Sequence, residues 1–426
     1  MPHIAIIGAG ITGITTAYAL LDRGFAVTVL DRQRYAAMDT SFANGGQLSA
    51  SNAEVWNGWP TVLKGLKWML NPRAPLLVNP KPSWHKLSWM AEFVAAIPHY
   101  ERNTVETARL AILARQVLFG MAQRERIDFD AASRGILHVY RDRTGFETAA
   151  RVNRLLAQGG LERRAVTPAE MRAIEPALHG TYHGGFFTES DSTGDIHKFT
   201  VGLARACVRR GAIFLNEAEV TSVTADDQGV RIAWRPVAGG AASGEVTEPG
   251  RERPALEVDA VVVCAGTGSR DLAASLGDRL NIYPVKGYSI TVELDNERSR
   301  AAAPTVSLLD DQTKIVSSRL GANRFRVAGT AEFDGYNKDI RADRIAPLVA
   351  WTRDLFPAVD TERVIPWAGL RPMLPGMLPR VGAGKRRGVF YNTGHGHLGW
   401  TLAGATAEMI AETIGAALPM ERRQAA

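Results

Sequence analysis

Cysteine is scarce in this chain of 426 residues, where Cys207 and Cys264 are the only two. Two cysteines are too few for a disulfide framework or for a cysteine-rich metal site. Cys207 falls on the apolar face of a predicted helix and Cys264 at the end of a predicted strand, so we expect both to be small buried residues. We expect neither a group bound covalently through cysteine nor a metal ion.

Long apolar segments are missing as well. No uninterrupted apolar run approaches the roughly 18 residues that a membrane-spanning helix requires. Met1-Pro2-His3 precedes a predicted strand, without the basic region and cleavage site of a secretory signal. We therefore expect a cytoplasmic location, either free or peripheral on the cytoplasmic face of the inner membrane.

Neither sign of charge is in large excess, because 50 Lys and Arg residues stand against 44 Asp and Glu, for a net charge of +6. This balance favours anionic partners only weakly, and we expect no nucleic-acid partner. An apolar fraction of 46% is ordinary for a folded protein, and the length allows two domains with separate cores.

What the chain does contain begins with a strand, a glycine-rich turn and a helix. Ile4–Ile7 predict a buried parallel strand, residues 8–13 carry the pattern Gly-x-Gly-x-x-Gly, and Ala26–Leu30 predict a second strand after the helix. Asp31 ends that second strand. Such a turn between strand and helix, followed by an acidic residue at the next strand end, is typical of a dinucleotide-binding βαβ unit.

The residue types in this unit fit the chemistry of a dinucleotide. Gly8 would form the tight turn, Gly10 would let the pyrophosphate approach the backbone, and Gly13 would allow the helix to lie close to the strand. The N-terminus of the helix would offer N–H groups and a partial positive charge to the pyrophosphate. Asp31 would accept a hydrogen bond from a ribose hydroxyl. A purely structural glycine turn is the alternative.

Two further glycine-rich strand ends favour FAD over NAD. They are Cys264-Ala-Gly-Thr-Gly268 and Asn392-Thr-Gly-His-Gly-His-Leu-Gly399. The second opens the C-terminal helix, whose N-terminus would face the electron-rich N1–C2=O edge of a flavin. An NAD enzyme needs only the first fingerprint, whereas three such turns in this order are typical of an FAD protein.

The pattern predicts an α/β protein with a glutathione-reductase-like FAD-binding Rossmann domain and a second, mainly antiparallel α+β substrate domain. We assign residues 1–51, 184–278 and 365–426 to the FAD-binding domain. Residues 52–183 and 279–364 are assigned to the substrate domain.

Residues 52–133 predict a helical insertion, and 235–254 predict a solvated hairpin loop. One helix of the insertion has four apolar residues on one face: Leu110, Leu113, Val117 and Met121. The insertion is rich in tryptophan and lysine: Trp56, Trp59, Trp68, Trp84, Trp89, Lys64, Lys67, Lys81 and Lys86. These residues either rest on an anionic membrane surface or fill the core of the substrate domain.

Further stretches of sequence carry a family resemblance: Ser41-Phe-Ala-Asn-Gly-Gly-Gln-Leu-Ser49, Tyr283-Pro-Val-Lys-Gly-Tyr-Ser289, Trp367-Ala-Gly-Leu-Arg-Pro-Met373 and Asn392-Thr-Gly-His-Gly-His-Leu-Gly-Trp-Thr401. With the N-terminal fingerprint and Asp31-Arg32, they extend through nearly the whole chain. In these stretches the chain resembles the bacterial D-amino acid dehydrogenases, within the superfamily of D-amino acid oxidase and glycine oxidase.

The resemblance implies roles for individual residues. Arg371 would clamp the substrate carboxylate, for which a guanidinium has matching bidentate geometry, and Tyr288 would hydrogen-bond the same group. Val220 would meet the adenine through its backbone, and residues 43–48 would run beside the isoalloxazine. The cofactor-binding candidates are Gly8, Gly10, Ile11, Thr12, Gly13, Asp31, Arg32, Ser41, Asn44, Gly45, Gly46, Gln47, Leu48, Val220, Ala265, Gly266, Gly394, His395, Gly396, His397, Leu398, Gly399 and Thr401.

Several of these residues have a structural alternative. Arg371 could form an ordinary ion pair, and Tyr288 could be a core residue of its strand. The spacing of His395 and His397 suggests a metal site, but no Cys, Asp or Glu cluster accompanies them, which favours backbone contact with the flavin. A covalent histidyl link to the flavin is left open.

The chain also departs from the family's pattern. Ala50-Ser-Asn-Ala-Glu-Val-Trp56 stands where Pro-Gly and an aromatic-rich stretch are expected. His397 replaces a threonine, and Pro375-Gly-Met377 replaces Asp-Gly. A tyrosine that the family can place near the substrate is absent. These departures leave FAD binding intact and affect the substrate preference.

The resemblance implies FAD-dependent oxidative deamination of D-amino acids to 2-oxo acids and ammonia, with electrons passed to a quinone or another acceptor. Two alternatives stand beside it. One is an oxidase of the glycine, sarcosine or proline type that uses O₂. The other is an NAD(P)-binding regulatory module without flavin chemistry.

Overall fold

The computed structural model describes residues 1–68, 74–237 and 253–418. Its α-helices are α1 (Ile11–Asp22), α2 (Trp59–Trp68), α3 (Trp84–Ala95), α4 (Tyr100–Glu125), α5 (Arg143–Gln158), α6 (Pro168–Ile174), α7 (Ile196–Arg209), α8 (Ser269–Ser275), α9 (Glu297–Ala302), α10 (Ala342–Leu355) and α11 (Gly399–Ala417). Its strands are β1 (His3–Ile7), β2 (Ala26–Leu30), β3 (Gln47–Leu48), β4 (Leu76–Val78), β5 (Ile136–Tyr140), β6 (Arg164–Val166), β7 (Gly184–Thr188), β8 (Ser192–Thr193), β9 (Ile213–Leu215), β10 (Ala218–Asp226), β11 (Gly229–Pro236), β12 (Leu256–Val258), β13 (Ala260–Val263), β14 (Tyr283–Glu293), β15 (Ser307–Asp310), β16 (Ile315–Leu320), β17 (Arg324–Phe333), β18 (Val364–Met373), β19 (Arg380–Ala383) and β20 (Val389–Thr393). Most of the hairpin loop predicted at 235–254 lies outside the described residues.

Several helices begin at side chains that cap them. Asp195 accepts hydrogen bonds from the first turn of α7, and Asp142 does the same for α5. Thr167 and Glu170 form a reciprocal capping box at the start of α6. Because these side chains satisfy N–H groups that have no partner inside a helix, the starting points are encoded locally.

One of the two large sheets has six strands, in the order β19-β20-β13-β1-β2-β9, which come from the beginning, middle and end of the described chain. Residues 4–7 of β1 pair in parallel with residues 260–263 of β13 and with residues 27–30 of β2. The central strands are continuous apolar runs because packed layers cover both faces of the sheet. The predicted βαβ unit is confirmed, and its turn lies at the carboxyl edge of the sheet.

Helices α1, α7 and α11 lie on one face of this sheet, and α4 crosses α11 closely. A Cβ on Gly404 of α11 would lie 2.5 Å from the carbonyl oxygen of Ala114 in α4, so the crossing requires glycine. The buried face of α4 therefore includes small residues such as Ala111. The predicted apolar face is wrong for Leu113, whose side chain is exposed.

A second sheet has nine strands in the part of the chain that the structure describes. Its order is β18-β14-β17-β16-β15-β5-β7-β6, with β4 pairing on β17. The pairs β15–β5 and β17–β4 are parallel and the other pairs are antiparallel. Helix α10 covers one face, over a core that includes Ile290, Phe325 and Trp351. This sheet agrees with the expected mainly antiparallel substrate region.

The strand pairing bears on the predicted domain limits. Strand β18 pairs with β14 from residue 364 to residue 373, which places it in the second sheet and not with the FAD-binding segment that was expected to start at 365. Helix α4 lies within 52–183 but packs against α1, α7 and α11. The rest of the domain division stays a prediction. Among the described helices, none combines the length and apolarity that crossing a membrane requires.

Candidate cofactor and substrate site

A connected cavity of about 1720 Å³ is bordered by residues of both sheets. Small-molecule pockets commonly measure ~300–1,000 Å³, so this one has room for an extended cofactor together with a substrate. The predicted site residues line it, with the exception of Gly13, Gly46 and Leu48. The fold therefore brings together side chains from the beginning, middle and end of the chain.

The glycine-rich turn after β1 is fixed by close backbone contacts. Gly8 has a φ of +111°, and a Cβ there would lie 2.5 Å from the carbonyl oxygen of Cys264 on the neighbouring strand end. A Cβ on Gly13 would lie 1.8 Å from the carbonyl oxygen of Gly8. Gly13 thus lets α1 begin against β1 without itself lining the cavity.

The N-terminus of α1 fits a pyrophosphate. Its N-cap residue, Gly10, has no side chain to cover the first turn, and that turn contains no acidic residue. Ser41 Oγ accepts a hydrogen bond from the Ile11 N–H at 3.0 Å and so holds the next loop against the helix. Gly10, Ile11 and Thr12 line the cavity, so the positive end of the helix dipole lies at its wall.

Asp31, at the end of β2, lines the same cavity and is hydrogen-bonded to the glycine-rich turn. Its Oδ2 accepts a hydrogen bond from the Ala9 N–H at 2.5 Å, and its Oδ1 accepts one from the Gln33 N–H at 2.7 Å. Burial raises the pKa of Asp31, although these two hydrogen bonds act in the opposite direction. A carboxylate oxygen accepts more than one hydrogen bond, so a ribose hydroxyl still finds an acceptor here.

We expect Asp31→Ala to weaken FAD retention on the order of 10- to 100-fold, because a hydrogen bond to a charged acceptor contributes about 1.5–3 kcal/mol. FAD content per protein after dialysis measures the effect. Asp226→Ala is the matched control, since Asp226 accepts a backbone hydrogen bond from Gln228 in an exposed turn. Equal FAD occupancy in the two variants counts against the role of Asp31.

Two later segments border the same end of the cavity. Gly266 has a φ of +56°, and a Cβ there would meet no atom within 4 Å, so the position opens onto free space. Val220 lies in β10 at a register shift and lines the cavity together with Ala265. The contact of the Val220 backbone with adenine stays a prediction.

The glycine-rich loop before α11 is anchored by a histidine. Gly394 and Gly396 have φ values of +78° and +58°, a conformation that favours glycine. His395 is buried, and its Nε2 is hydrogen-bonded to Thr406 Oγ1 of α11 at 2.9 Å. Burial lowers the pKa of His395 to about 3, so the ring is neutral. Its side chain holds the loop, and within residues 1–68, 74–237 and 253–418 no group of His, Cys, Asp and Glu is placed to hold a metal.

His397 lies against Trp56, with ring centroids 4.5 Å apart and an interplanar angle of 25°. Burial, and secondarily the charge of Arg371, lowers the pKa of His397 to about 3, while the backbone of Asn52 acts in the opposite direction. Neither ring nitrogen makes a hydrogen bond of good geometry with the described residues. Both His397 and Trp56 line the cavity and lie where the sequence departs from the expected family pattern.

Arg371 is a cation beside the cavity without an acidic partner among the described residues. Its Nη1 donates to the carbonyl oxygen of Thr330 at 3.1 Å. Burial lowers the pKa of Arg371 to about 10, which leaves the guanidinium charged at neutral pH. A desolvated cation without a counter-ion is costly, so this position suits a carboxylate ligand. The structural ion pair considered as an alternative is not formed within the described chain.

Two backbone features fix the position of this guanidinium. A Cβ on Gly287 would lie 2.3 Å from Arg371 Cζ, so glycine alone leaves room for the side chain over β14. Thr330, whose carbonyl is the acceptor, has a φ of +59°. A left-handed conformation costs a β-branched residue on the order of 1–3 kcal/mol, and such strain is concentrated at functional sites.

The structure does not bring the Tyr288 hydroxyl to Arg371. The Tyr288 side chain packs with Ile290 and Trp351 in the core beneath α10. Its hydroxyl donates to Glu332 Oε2 at 2.5 Å, and burial together with this partner raises the pKa of Tyr288. This arrangement matches the core alternative and not the expected contact with a substrate carboxylate.

Sequence reasoning did not single out Gly287, Thr330 or two polar pairs that border the cavity. In one pair the Tyr100 hydroxyl donates to Glu54 Oε1 at 2.6 Å. The other pair is Ser51 Oγ and His138 Nε2, 2.9 Å apart. Gly287 lies inside a stretch that carries the family resemblance and could have been found there. Ser51 and Glu54 lie inside the stretch 50–56 that departs from the family's pattern, whereas the remaining positions give no local signal.

Known proteins provide an independent comparison. A family model described as "FAD dependent oxidoreductase" matches residues 3–413. The chain is 61% identical over 426 residues to "D-amino acid dehydrogenase 3" of Mesorhizobium japonicum, covering 100% of both proteins. It is 40% identical over 422 residues to a D-amino acid dehydrogenase of Paramagnetospirillum magneticum, covering 96% of this chain and 94% of that protein.

Solved structures show the same fold. Glycine oxidase from Geobacillus kaustophilus matches with a TM-score of 0.72 at 20% identity, covering 98% of this chain and 95% of that one. L-proline dehydrogenase from P. horikoshii matches with a TM-score of 0.73 at 15% identity, covering 97% and 93%. Identities this low bear on the fold alone, and the predicted fold class is confirmed.

Proposed function

The chain belongs to the family of FAD-dependent oxidoreductases, and from this premise we propose that it oxidatively deaminates D-amino acids to 2-oxo acids and ammonia. Its cofactor is FAD. The observation that carries the proposal is the charged Arg371, which borders the cofactor cavity without an acidic partner among the described residues. The 61% identity to a D-amino acid dehydrogenase supports both the substrate class and its handedness.

When bound, FAD supplies the acceptor for the hydride that leaves the substrate Cα. The contribution of the chain is to bind and orient. Arg371 holds the carboxylate, and Gly287 and Thr330 hold Arg371, so that the substrate is presented in one orientation.

No side chain is required to act as a base, because the lone pair of a neutral amine assists departure of the hydride from Cα. The site histidines agree with this. His395 and His397, with pKa values lowered to about 3, do not take up a proton near neutral pH. Water then hydrolyses the imino acid to the 2-oxo acid and ammonia.

The proposal is tested by mixing the purified holoprotein anaerobically with single D-amino acids. We expect the visible flavin absorbance to bleach, with one 2-oxo acid and one ammonia formed for each FAD reduced. A yellow protein already excludes an NAD(P)-binding regulatory module. If none of the D-amino acids reduces the flavin, the proposal fails.

We propose that the electrons pass to a quinone or another acceptor, and not to O₂. Support comes from the relatives at 61% and 40% identity, which are named dehydrogenases, whereas the glycine oxidase neighbour is 20% identical. Rapid reoxidation of the reduced flavin by a soluble quinone analogue, together with slow reoxidation in air, is the expected pattern. Rapid reoxidation in air would instead favour the oxidase alternative.

Helices α2 and α3 both line part of the cavity and also expose large apolar side chains. Trp59 on α2 is 60% exposed and Trp84 on α3 is 83% exposed. Lys64 and Lys81 are exposed beside them, whereas Lys86 is buried and its Nζ donates to the Lys81 carbonyl oxygen at 2.6 Å. We propose that this patch, here called the α2–α3 patch, rests on an anionic membrane at the cytoplasmic face and admits quinone.

We expect the holoprotein to float with anionic liposomes and to be released by salt, since basic residues near such a surface contribute about 1 kcal/mol each. Combined Trp59→Ser and Trp84→Ser substitution should weaken this binding on the order of 10-fold or more, because aromatic side chains favour the interface. Val208→Ser, at a residue 54% exposed on α7, is the matched control. Binding that is absent, or equal in all variants, leaves the patch as an ordinary surface.

A further inference from the structure

The loop of residues 43–46 is the place where the second sheet reaches the cofactor cavity. The carbonyl oxygens of residues 43–45 each accept a side-chain hydrogen bond from a different strand of that sheet. Ser289 Oγ of β14 donates to the first at 2.7 Å, and Arg326 Nη1 of β17 donates to the second at 3.0 Å. Ser318 Oγ of β16 donates to the third at 2.8 Å. The row of carbonyls is therefore turned toward the sheet and held there.

The N–H groups of the loop consequently face the other way. In a planar trans peptide the C=O and the following N–H point in opposite directions. Because the first two carbonyls point at the sheet, the Asn44 and Gly45 N–H groups point toward the cavity, which both residues line. Neither N–H has a hydrogen-bond partner within the described chain, whereas the Gly46 N–H donates to Asn44 Oδ1 at 2.9 Å.

The donors behind the loop are themselves fixed. Arg326 is 6% exposed, and its Nε donates to Thr291 Oγ1 at 2.8 Å. Burial lowers the pKa of Arg326 to about 10, so the guanidinium stays charged at neutral pH. The loop also fits the sheet closely, since a Cβ on Gly45 would lie 2.7 Å from Val316 Cγ2. The fixed positive charge of Arg326 and the Ser289 hydroxyl therefore stand behind the two free N–H groups.

We infer that Ser289 and Arg326 are positioning residues that aim the Asn44 and Gly45 N–H groups at the flavin and thereby favour reduced over oxidised FAD. The inference rests on the proposed placement of residues 43–48 beside the isoalloxazine. Reduction adds electron density to the pyrimidine side of a flavin, so fixed donors there bind the reduced form more tightly. Because the sheet already orients these donors, no reorganisation is needed when the charge appears.

Ser289→Ala tests the inference with the holoprotein, because the Ser289 hydroxyl holds the carbonyl of the peptide that carries the Asn44 N–H. We expect its preference for reduced over oxidised FAD to fall about 3- to 10-fold, the range of one net hydrogen bond, which lowers the midpoint potential by about 15–30 mV for two electrons. Ser317→Ala is the matched control, because Ser317 is a buried serine of the same sheet whose Oγ has no partner among the described residues. Photochemical reduction against a reference dye gives the potential without any amino acid.

Further variants keep the test decisive if Ser289→Ala folds poorly. Arg326→Met should lower the potential more than Arg326→Lys, which keeps the charge. Ser318→Ala should leave it unchanged, because Ser318 holds the peptide whose N–H, that of Gly46, already donates to Asn44 Oδ1. The inference is overturned if every Ser289 and Arg326 variant that folds retains the parent potential, or if Ser317→Ala or Ser318→Ala shifts it equally. If the variants show these shifts but no D-amino acid reduces the flavin, the inference stands and the proposed substrate class is rejected. A protein that binds no FAD would reject both.

Discussion

In Arg371→Ala, kcat/KM for D-amino acids is expected to fall by a factor on the order of 10²–10³, with FAD content unchanged. Truncating one partner of a desolvated charge pair typically costs ~2–5 kcal/mol, because the carboxylate is left without its counter-ion. The guanidinium has no acidic partner among the described residues, so its loss leaves no buried acid unpaired. Steady-state kinetics with a quinone analogue and FAD absorbance per protein measure the two quantities.

Related variants separate the charge from its position. Arg371→Lys keeps a charge without the planar fork and should restore only part of the activity. Gly287→Ala keeps the arginine but places a Cβ 2.3 Å from its Cζ, so it should reproduce part of the loss by displacement. Arg363→Ala is the control, at a side chain 81% exposed. If Arg371→Ala retains activity within a few-fold of the parent, the carboxylate clamp lies elsewhere.

The dinucleotide end could be predicted from sequence because its signals are local. A strand, a turn and a helix follow one another within residues 3–22, and the spacing to Asp31 reflects a single crossover between adjacent strands. A side chain at Gly8 or Gly13 would clash with backbone atoms, so the fold requires glycine at both positions and the sequence shows it. Such features can be read from a single sequence.

The position of Tyr288 could not be predicted in the same way. In a strand with one face exposed to solvent, the alternation of polar and apolar residues shows which side chains lie on the same face. Strand β14 is buried along ten of its eleven residues, so the alternation is lost and the face of Tyr288 cannot be read. The buried face of α4 was predicted wrongly at Leu113 for a different reason. Close approach to α11 requires small residues, so Ala111 and Ala114 are buried while the larger Leu113 is exposed.

The hydrogen bonds that orient the loop of residues 43–46 were also beyond sequence reasoning. Ser289, Ser318 and Arg326 lie 246, 273 and 282 residues from their acceptors. Serine and arginine in a strand have no spacing that identifies such a partner. Long-range polar contacts of this kind follow from how two sheets pack, which no local pattern encodes.

The handedness of the substrate gives the second large effect: D-amino acids are expected to reduce the flavin about 10²-fold or more faster than their L-isomers. The carboxylate on Arg371 and the Cα–H directed at the flavin fix two points of the substrate. Inverting the α-carbon while keeping both exchanges the amine and the side chain. The side chain then meets the wall meant for the amine, and the amine lies unpaired, each at a cost of roughly 1–3 kcal/mol.

Anaerobic stopped-flow mixing with D- and L-alanine, methionine and arginine measures this ratio, and faster bleaching by the L-isomers throughout would reverse the assignment. The same traces test the protonation state, because kcat/KM should rise with pH as the substrate amine loses its proton. His395 and His397, with pKa values lowered to about 3, stay neutral through this range. Arg371, with a pKa lowered to about 10, stays charged below that value. The pH at which kcat/KM rises should therefore follow the amine pKa of each substrate. A rise near pH 6.5 that is the same for every substrate would instead indicate a histidine base.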